Sequence, residues 1–170
     1  LGDEGTGAFY EGPLADEIAA TVQNPQKTST TKLPVPKGFM TAEDLANYKV
    51  LDQDPTHVEY RGYDVYGMAP SSSGGTTVGE ALNILAPFEL PDRVRGKGNS
   101  RNQSEVLHFY LEASALAFAD RAKYVGDPNF VAVPTEALLD DVYGKERACA
   151  IDPRRAAVKP VPAGAATDSA

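Results

Sequence analysis

The sequence predicts an α+β fold, mostly helical with one β-hairpin. Apolar residues recur at helical spacing in several separate blocks, and Val50–Met68 instead reads as two extended runs about an Arg61-Gly62 turn. Proline- and glycine-bearing stretches separate these blocks, as connections do.

Taken in order, Phe9 to Pro13 leads into a first helix, with Gly12 as cap, Pro13 at the first helical position and Leu14, Ile18 and Val22 as its stripe. Asn24-Pro25 ends it, and residues 24–38 read as a polar surface loop. Thr41 to Asp44 forms a capping box for a short helix reaching about Tyr48, with Leu45 facing inward. Val50–Tyr60 is extended and pairs with 63–68, and Pro55 suits an edge or bulge. Pro87–Arg101 lacks periodicity and reads as a flexible insertion. Asn102 to Glu105 forms a second capping box, opening the longest helix, which runs to about Tyr124 with Leu107, Leu111, Ser114 and Phe118 on one stripe. Gly126-Asp127-Pro128 breaks it. Pro134 then starts a helix carrying Leu138, Leu139, Val142 and Tyr143. From Ile151 the chain is rich in proline and alanine. Residues 1–159 are taken as one piece and 160–170 as a flexible tail or linker.

The stretch Tyr60–Leu85 organises the rest. Ser71–Gly75 is a bend made of small residues, followed by a helix capped by Thr76 or Thr77 that carries Val78, Leu82 and Leu85 on one stripe. Two readings stand. Ser72, Ser73, Gly74 and Gly75 could offer backbone N–H groups at a helix N-terminus to an anion or oxyanion. Alternatively the glycines serve only a tight strand-to-helix turn, since the motif is neither a phosphate-binding loop nor G-x-S-x-G.

Composition narrows the function. The 170 residues suit one domain or a large piece of one, and a net charge of −8 with pI near 4.7 argues against nucleic acid or an anionic membrane as partner. The basic island Arg93, Arg95, Lys97 and Arg101 lies in a glycine-bearing loop and reads as solvated. Cys149 is alone, so an internal disulfide is excluded. No apolar run nears the ~20 residues of a membrane-spanning helix. No signal peptide is visible, and the opening LGDEGTGAFY lacks a Met and starts in mid-pattern, as an excised piece would.

The chain holds no self-contained active site. Ser72 or Ser73 could serve as nucleophile, but His57 and His108 stand at no spacing that ties either to the serines. One cysteine and two histidines 51 apart make no metal set. Glu43-Asp44 and Asp140-Asp141 read as caps or helix surface. Asp120-Arg121, near the end of an alanine-rich helix, reads as a structural ion pair rather than a catalytic one.

Four blocks taken together resemble the gamma-glutamyltranspeptidases: FYEGPLADEI, GFMTAEDLANY, YRGYDVYGMAPSSSGG with ALNIL, and HFYLEASALAFADRAKYVGDPNFVAVP, in order across roughly residues 7–145. The Arg-Gly-Tyr/Ser-Ser-Gly-Gly and Ala-Asp-Arg/Gly-Asp-Pro blocks are the most specific. The resemblance implies an N-terminal-nucleophile hydrolase with a four-layer αββα sandwich. It further implies a precursor that cleaves itself into two subunits, and a threonine at the new N-terminus that attacks the γ-glutamyl bond of glutathione and related donors. That threonine's α-amine acts as base, and the acyl group passes to water, an amino acid or a peptide.

This chain resembles the C-terminal part of the large subunit. Thr167-Asp168 does not match the family's nucleophile motif, and none of the family's donor-binding residues falls on these positions. No catalytic residue, cofactor or metal is therefore assigned, and Ser72, Ser73, Gly74 and Gly75 are expected to shape the cleft wall or support the processing site. The implied partners are the small subunit of the same precursor, the γ-glutamyl donor and its acceptor. The fragment alone is expected to expose an apolar sheet face or edge, which a homodimer could cover. The family resemblance implies a periplasmic or extracellular location. Ala69-Pro70-Ser71 replaces the family's proline run, Lys37 stands where a glycine pair is usual, and the loops 24–36 and 89–102 are longer than typical. The alternatives are a related acylase or a non-catalytic binding module.

Overall fold

The structure, a computed structural model, describes residues 2–90 and 100–166. The chain divides into two compact units, residues 1–52 and residues 53–170.

The first unit holds α1 (Gly7–Tyr10), α2 (Pro13–Gln23) and α3 (Ala42–Ala46). Helix α1 is a single turn that the sequence pattern does not signal, and its Tyr10 ring stacks on Tyr48 at 5.6 Å. Helix α2 starts as expected, with Gly12 at φ 85° and Pro13 at the first helical position. Its inward face is displaced from the expected stripe. Ala15 and Ala19 are buried and Ile18 and Val22 half-buried, while Leu14 is exposed. The capping box of α3 is present: Asp44 N–H donates to Thr41 Oγ1 (3.2 Å) and Thr41 N–H to Asp44 Oδ2 (2.7 Å). The helix closes at Ala46, short of Tyr48.

In the second unit β1 (Thr56–Tyr60) pairs antiparallel with β2 (Tyr63–Gly67), bringing Tyr60 opposite Tyr63 and Val58 opposite Val65. Arg61 (φ 55°) and Gly62 (φ 80°) both take left-handed backbone, which matches the twist of a two-residue hairpin loop. Alternation puts Thr56, Val58, Val65 and Gly67 on the face toward α4 (Gly74–Leu85), and His57, Glu59, Asp64 and Tyr66 on the other. The expected bare apolar sheet face is therefore covered by α4. Among the described residues the hairpin's outer strand edges carry no further strand.

Helix α4 begins at Gly74, so Thr76 and Thr77 are not caps; both lie inside the helix and are buried. Its expected stripe is also revised. Val78 is 55% exposed, while Thr76, Thr77, Glu80, Asn83, Ile84 and Leu85 are buried. The hairpin, α5 (Ser100–Tyr124) and α7 (Asp141–Ala148) pack around α4, so polar and apolar positions alike are enclosed.

Helix α5 starts at Ser100, which places the expected capping box at Asn102–Glu105 inside the helix. Leu107, Leu111 and Phe118 are each more than half exposed, and the buried face is Phe109, Glu112, Ala113, Leu116, Ala117 and Asp120. The single helix expected from Pro134 is two, α6 (Thr135–Leu138) and α7. Asp140 takes an extended backbone between them, and its Oδ1 accepts the N–H groups of Val142 (2.8 Å) and Tyr143 (3.0 Å).

The core joins Ile84, Leu85 and Leu90 to Phe109, Ala113, Leu116 and Ala117 of α5, and to Ala148 and Ile151. Each large apolar side chain enclosed there stabilises the fold by ~1.5–3 kcal/mol. Phe88 packs on Phe109 with ring centroids 4.5 Å apart. Most of the expected insertion, with Arg93, Arg95 and Lys97, lies outside the described residues. Among the described residues no helix is long and apolar enough to cross a membrane.

Candidate functional site

The turn from β2 into α4 is built by close approach. A Cβ on Gly75 would collide with Thr56 Oγ1 and come within 2.5 Å of the Met68 carbonyl oxygen, so only glycine lets the helix start against the hairpin. A Cβ on Gly74 would meet only Ser72 Oγ, at an ordinary 3.5 Å. The two glycines that look equivalent in sequence therefore have different requirements.

The two glycine amides of this turn are already used. Gly74 N–H donates to Ser72 Oγ (3.3 Å) and Gly75 N–H to the Met68 carbonyl (3.3 Å). An anion cradle would need those donors free. Arg121 Nε donates to Ser73 Oγ at 2.8 Å, so the end of α5 reaches the turn. The histidines are engaged elsewhere. His57 Nε2 lies 2.7 Å from Asp64 Oδ1, and His108 Nε2 lies 2.7 Å from the Asp152 carbonyl.

Asp120 and Arg121 do not pair with each other, because adjacent helical residues point apart. Asp120 is fully buried and faces α7: Tyr143 OH donates to its Oδ2 (2.9 Å), and Arg147 Nε lies 2.8 Å from the same oxygen as an ion pair, although its N–H is not aligned along that line. Glu80 of α4 completes the cluster. Burial, a hydrogen bond to Asp120 and the charge of Asp120 push its carboxyl up to about 10, against the opposing pull of Arg147. Glu80 is thus held in its neutral form at pH 7. Burial and the Asp120 hydrogen bond and charge also raise the Tyr143 hydroxyl, keeping it a donor.

Residues 160–166, expected as the start of a flexible tail, are held against this cluster. Gly164 N–H donates to Asp120 Oδ1 (2.5 Å), and the Gly164 carbonyl accepts Tyr124 OH (2.8 Å) and Lys123 Nζ (3.2 Å). Arg147 Nη2 donates to the Pro162 carbonyl (3.0 Å), and Ala166 packs with Leu138 and Tyr143. Residues 167–170 lie outside the described residues. Glu80, Tyr143 and Arg147 are missed by reading the sequence alone. The available signals were a Thr76/Glu80/Asn83 spacing on one helical face and the i, i+4 pair Tyr143/Arg147.

Two hollows adjoin the hairpin. A cleft of about 910 Å³ lies between β1 and the 128–141 segment, lined by Asp54, Thr56, Pro70, Val133, Glu136 and Asp140 among others. A smaller groove of about 250 Å³ runs beside β2, lined by Val65, Tyr66, Met68, Gly74, Gly75 and Val78. Among the described residues no group of His, Cys, Asp and Glu could hold a metal ion.

This hairpin-and-helix arrangement is found in N-terminal-nucleophile hydrolases. The gamma-glutamyltranspeptidase of Helicobacter pylori superposes with a TM-score of 0.72 at 33% identity, over 93% of this chain and 41% of that one. The family model for gamma-glutamyltranspeptidase matches residues 1–169, and the chain belongs to that family. It is 38% identical over 156 residues to the glutathione hydrolase proenzyme of Escherichia coli strain K12, covering 92% of this chain and 24% of that protein. It is 33% identical over 153 residues to the Acylase ACY 1 proenzyme of Pseudomonas sp. strain SE83, covering 90% of this chain and 24% of that protein. The chain thus spans about a quarter of the length of these curated relatives.

Proposed function

We propose that the protein carrying this chain is a gamma-glutamyltranspeptidase, in which these residues are scaffold and the threonine nucleophile lies elsewhere. The observation that carries the reading is the family match over residues 1–169, together with 38% identity to a glutathione hydrolase proenzyme across nearly the whole chain. The precursor cleaves itself, and the freed threonine transfers the γ-glutamyl group of glutathione or a related donor to water, an amino acid or a peptide. The small subunit of the same precursor is the partner. The open edge of β2, the groove beside it and the exposed Tyr63, Tyr66, Met68 and Val78 support a strand docking there. In this reading Ser72, Ser73, Gly74 and Gly75 support the groove wall, and Arg121 holds Ser73 in place. The same resemblance supports a periplasmic or extracellular location, which cell fractionation tests.

The test is purification of the full-length precursor, with mass measurement and sequencing of any new N-terminus. Cleavage before a threonine and release of a chromogenic γ-glutamyl anilide are expected; an intact, inert chain overturns the reading and favours a binding module. The similarity to an acylase supports a second reading of the same fold. A cleaved protein that hydrolyses a cephalosporin side chain and spares the γ-glutamyl anilide would establish it.

A further inference from the structure

The segment after α7 follows α5 through successive contacts on one side of that helix. His108 meets the Asp152 carbonyl. Four residues on, Glu112 accepts Ala157 N–H at Oε2 (3.1 Å) and Lys159 Nζ at Oε1 (2.7 Å). Eight residues beyond Glu112, Asp120 accepts Gly164 N–H. That separation is about 12 Å along a helix, so residues 152–164 run alongside α5 in the same direction. The segment is rich in proline and alanine and is fixed by acceptors on α5, by Arg147 of α7 and by its own Lys159.

Both carboxylates belong to the buried face of α5, 5% exposed at Glu112 and 0% at Asp120. Burying two charges there costs free energy unless each is paired and hydrogen-bonded, and the strap supplies part of that pairing. Lys159 and the Ala157 N–H serve Glu112, while Asp120 takes Gly164 beside Tyr143 and Arg147. Gly164 fits where little else would: a Cβ there would collide with Tyr143 OH and come within 2.8 Å of Arg147 Cδ.

We infer that residues 152–166 form a strap that fixes the course of this part of the chain along α5 and α7, and that Asp120 and Gly164 are positioning residues for self-cleavage of the precursor. This rests on the processing reading proposed above. Each acts by holding the backbone of the strap.

Gly164→Ala is the chosen variant, because the change lies in the strap and its methyl acts where the strap meets Tyr143 and Arg147 of α7. In the full-length precursor two quantities are read well below the melting temperature: amide exchange over 160–166 and the rate of self-cleavage. Exchange is expected to rise, and cleavage to slow by roughly tenfold or more, as a misplaced reacting group predicts. Lys159→Met, which removes the strap's ion pair with Glu112 and adds no atom beside α7, should raise exchange and slow cleavage in the same direction; an unchanged cleavage rate in it would show the Gly164 effect to be a local collision and overturn the positioning role. Unchanged exchange overturns the strap. Faster exchange with an unchanged cleavage rate overturns the positioning role. If the unsubstituted precursor does not cleave, the processing reading fails and the positioning role with it, while exchange still decides the strap.

Discussion

At the scale of single residues, Gly74 and Gly75 separate two roles that the sequence leaves merged. Gly75→Ala places a methyl against Thr56 Oγ1 and the Met68 carbonyl, which the hairpin cannot vacate without moving backbone. Overpacking of this kind costs about 1–3 kcal/mol. Gly74→Ala meets ordinary space at a helical start and should be neutral, or stabilising by ~0.4–1 kcal/mol through the unfolded chain. Urea unfolding of the two variants checks this, and equal midpoints would refute the distinction. The double glycine was visible in the sequence as a turn. Which glycine was obligatory was not, because that depends on Thr56, nineteen residues before Gly75.

At the scale of elements, caps read well and faces read poorly. The Thr41–Asp44 box was visible because both partners lie within four residues. Asp140 is another local cap, and it also aims Tyr143 at Asp120. Asp140→Ala should cost about 0.5–2 kcal/mol, the usual loss for an N-cap, and weaken amide protection across α7 first. An unchanged unfolding midpoint with unchanged exchange in α7 would refute it. The face of α5 was misread for a physical reason. Its apolar residues occur all round the helix, and the buried side carries Glu112 and Asp120, residue types that ordinarily mark the solvent side. Leu107, Leu111 and Phe118 make an equally regular stripe that is exposed.

At the scale of the molecule, the buried Glu80 makes stability depend on pH. Its native carboxyl holds a proton up to about 10, whereas in the unfolded chain it releases it near 4.5. Across that window the native state binds more protons, so this contribution is fully present below the unfolded value and is lost as pH rises toward about 10, by at most ~1.4 kcal/mol per pH unit. Glu80→Gln keeps the shape and has no proton to lose. The variant should gain on the parent protein steadily from about pH 5 to about pH 9, as followed by denaturant midpoints. Parallel pH profiles would show that Glu80 is not the buried acid described here. Glu112 behaves oppositely. Burial pushes it up, but the Lys159 and Ala157 hydrogen bonds and the charges of Lys159 and His108 outweigh that and hold it below the usual range, so its contribution is lost on acidification.

By itself the sequence determined what local chemistry decides: the α+β class, the Arg61-Gly62 hairpin, the Gly12-Pro13 and Thr41–Asp44 helix starts, and the motif blocks that carry the family. Each depends on residues close together in the chain, where backbone preference and capping act without help. Tertiary structure decided the inward faces of α4 and α5, the split between α6 and α7, and the course of residues 160–166. These rest on pairings such as Asp120 with Gly164 and Tyr143, more than twenty residues apart in sequence, and on burial of Glu80, which only the assembled helices enforce. A proline- and alanine-rich segment reads as a loose tail until the carboxylates that hold it are placed beside it.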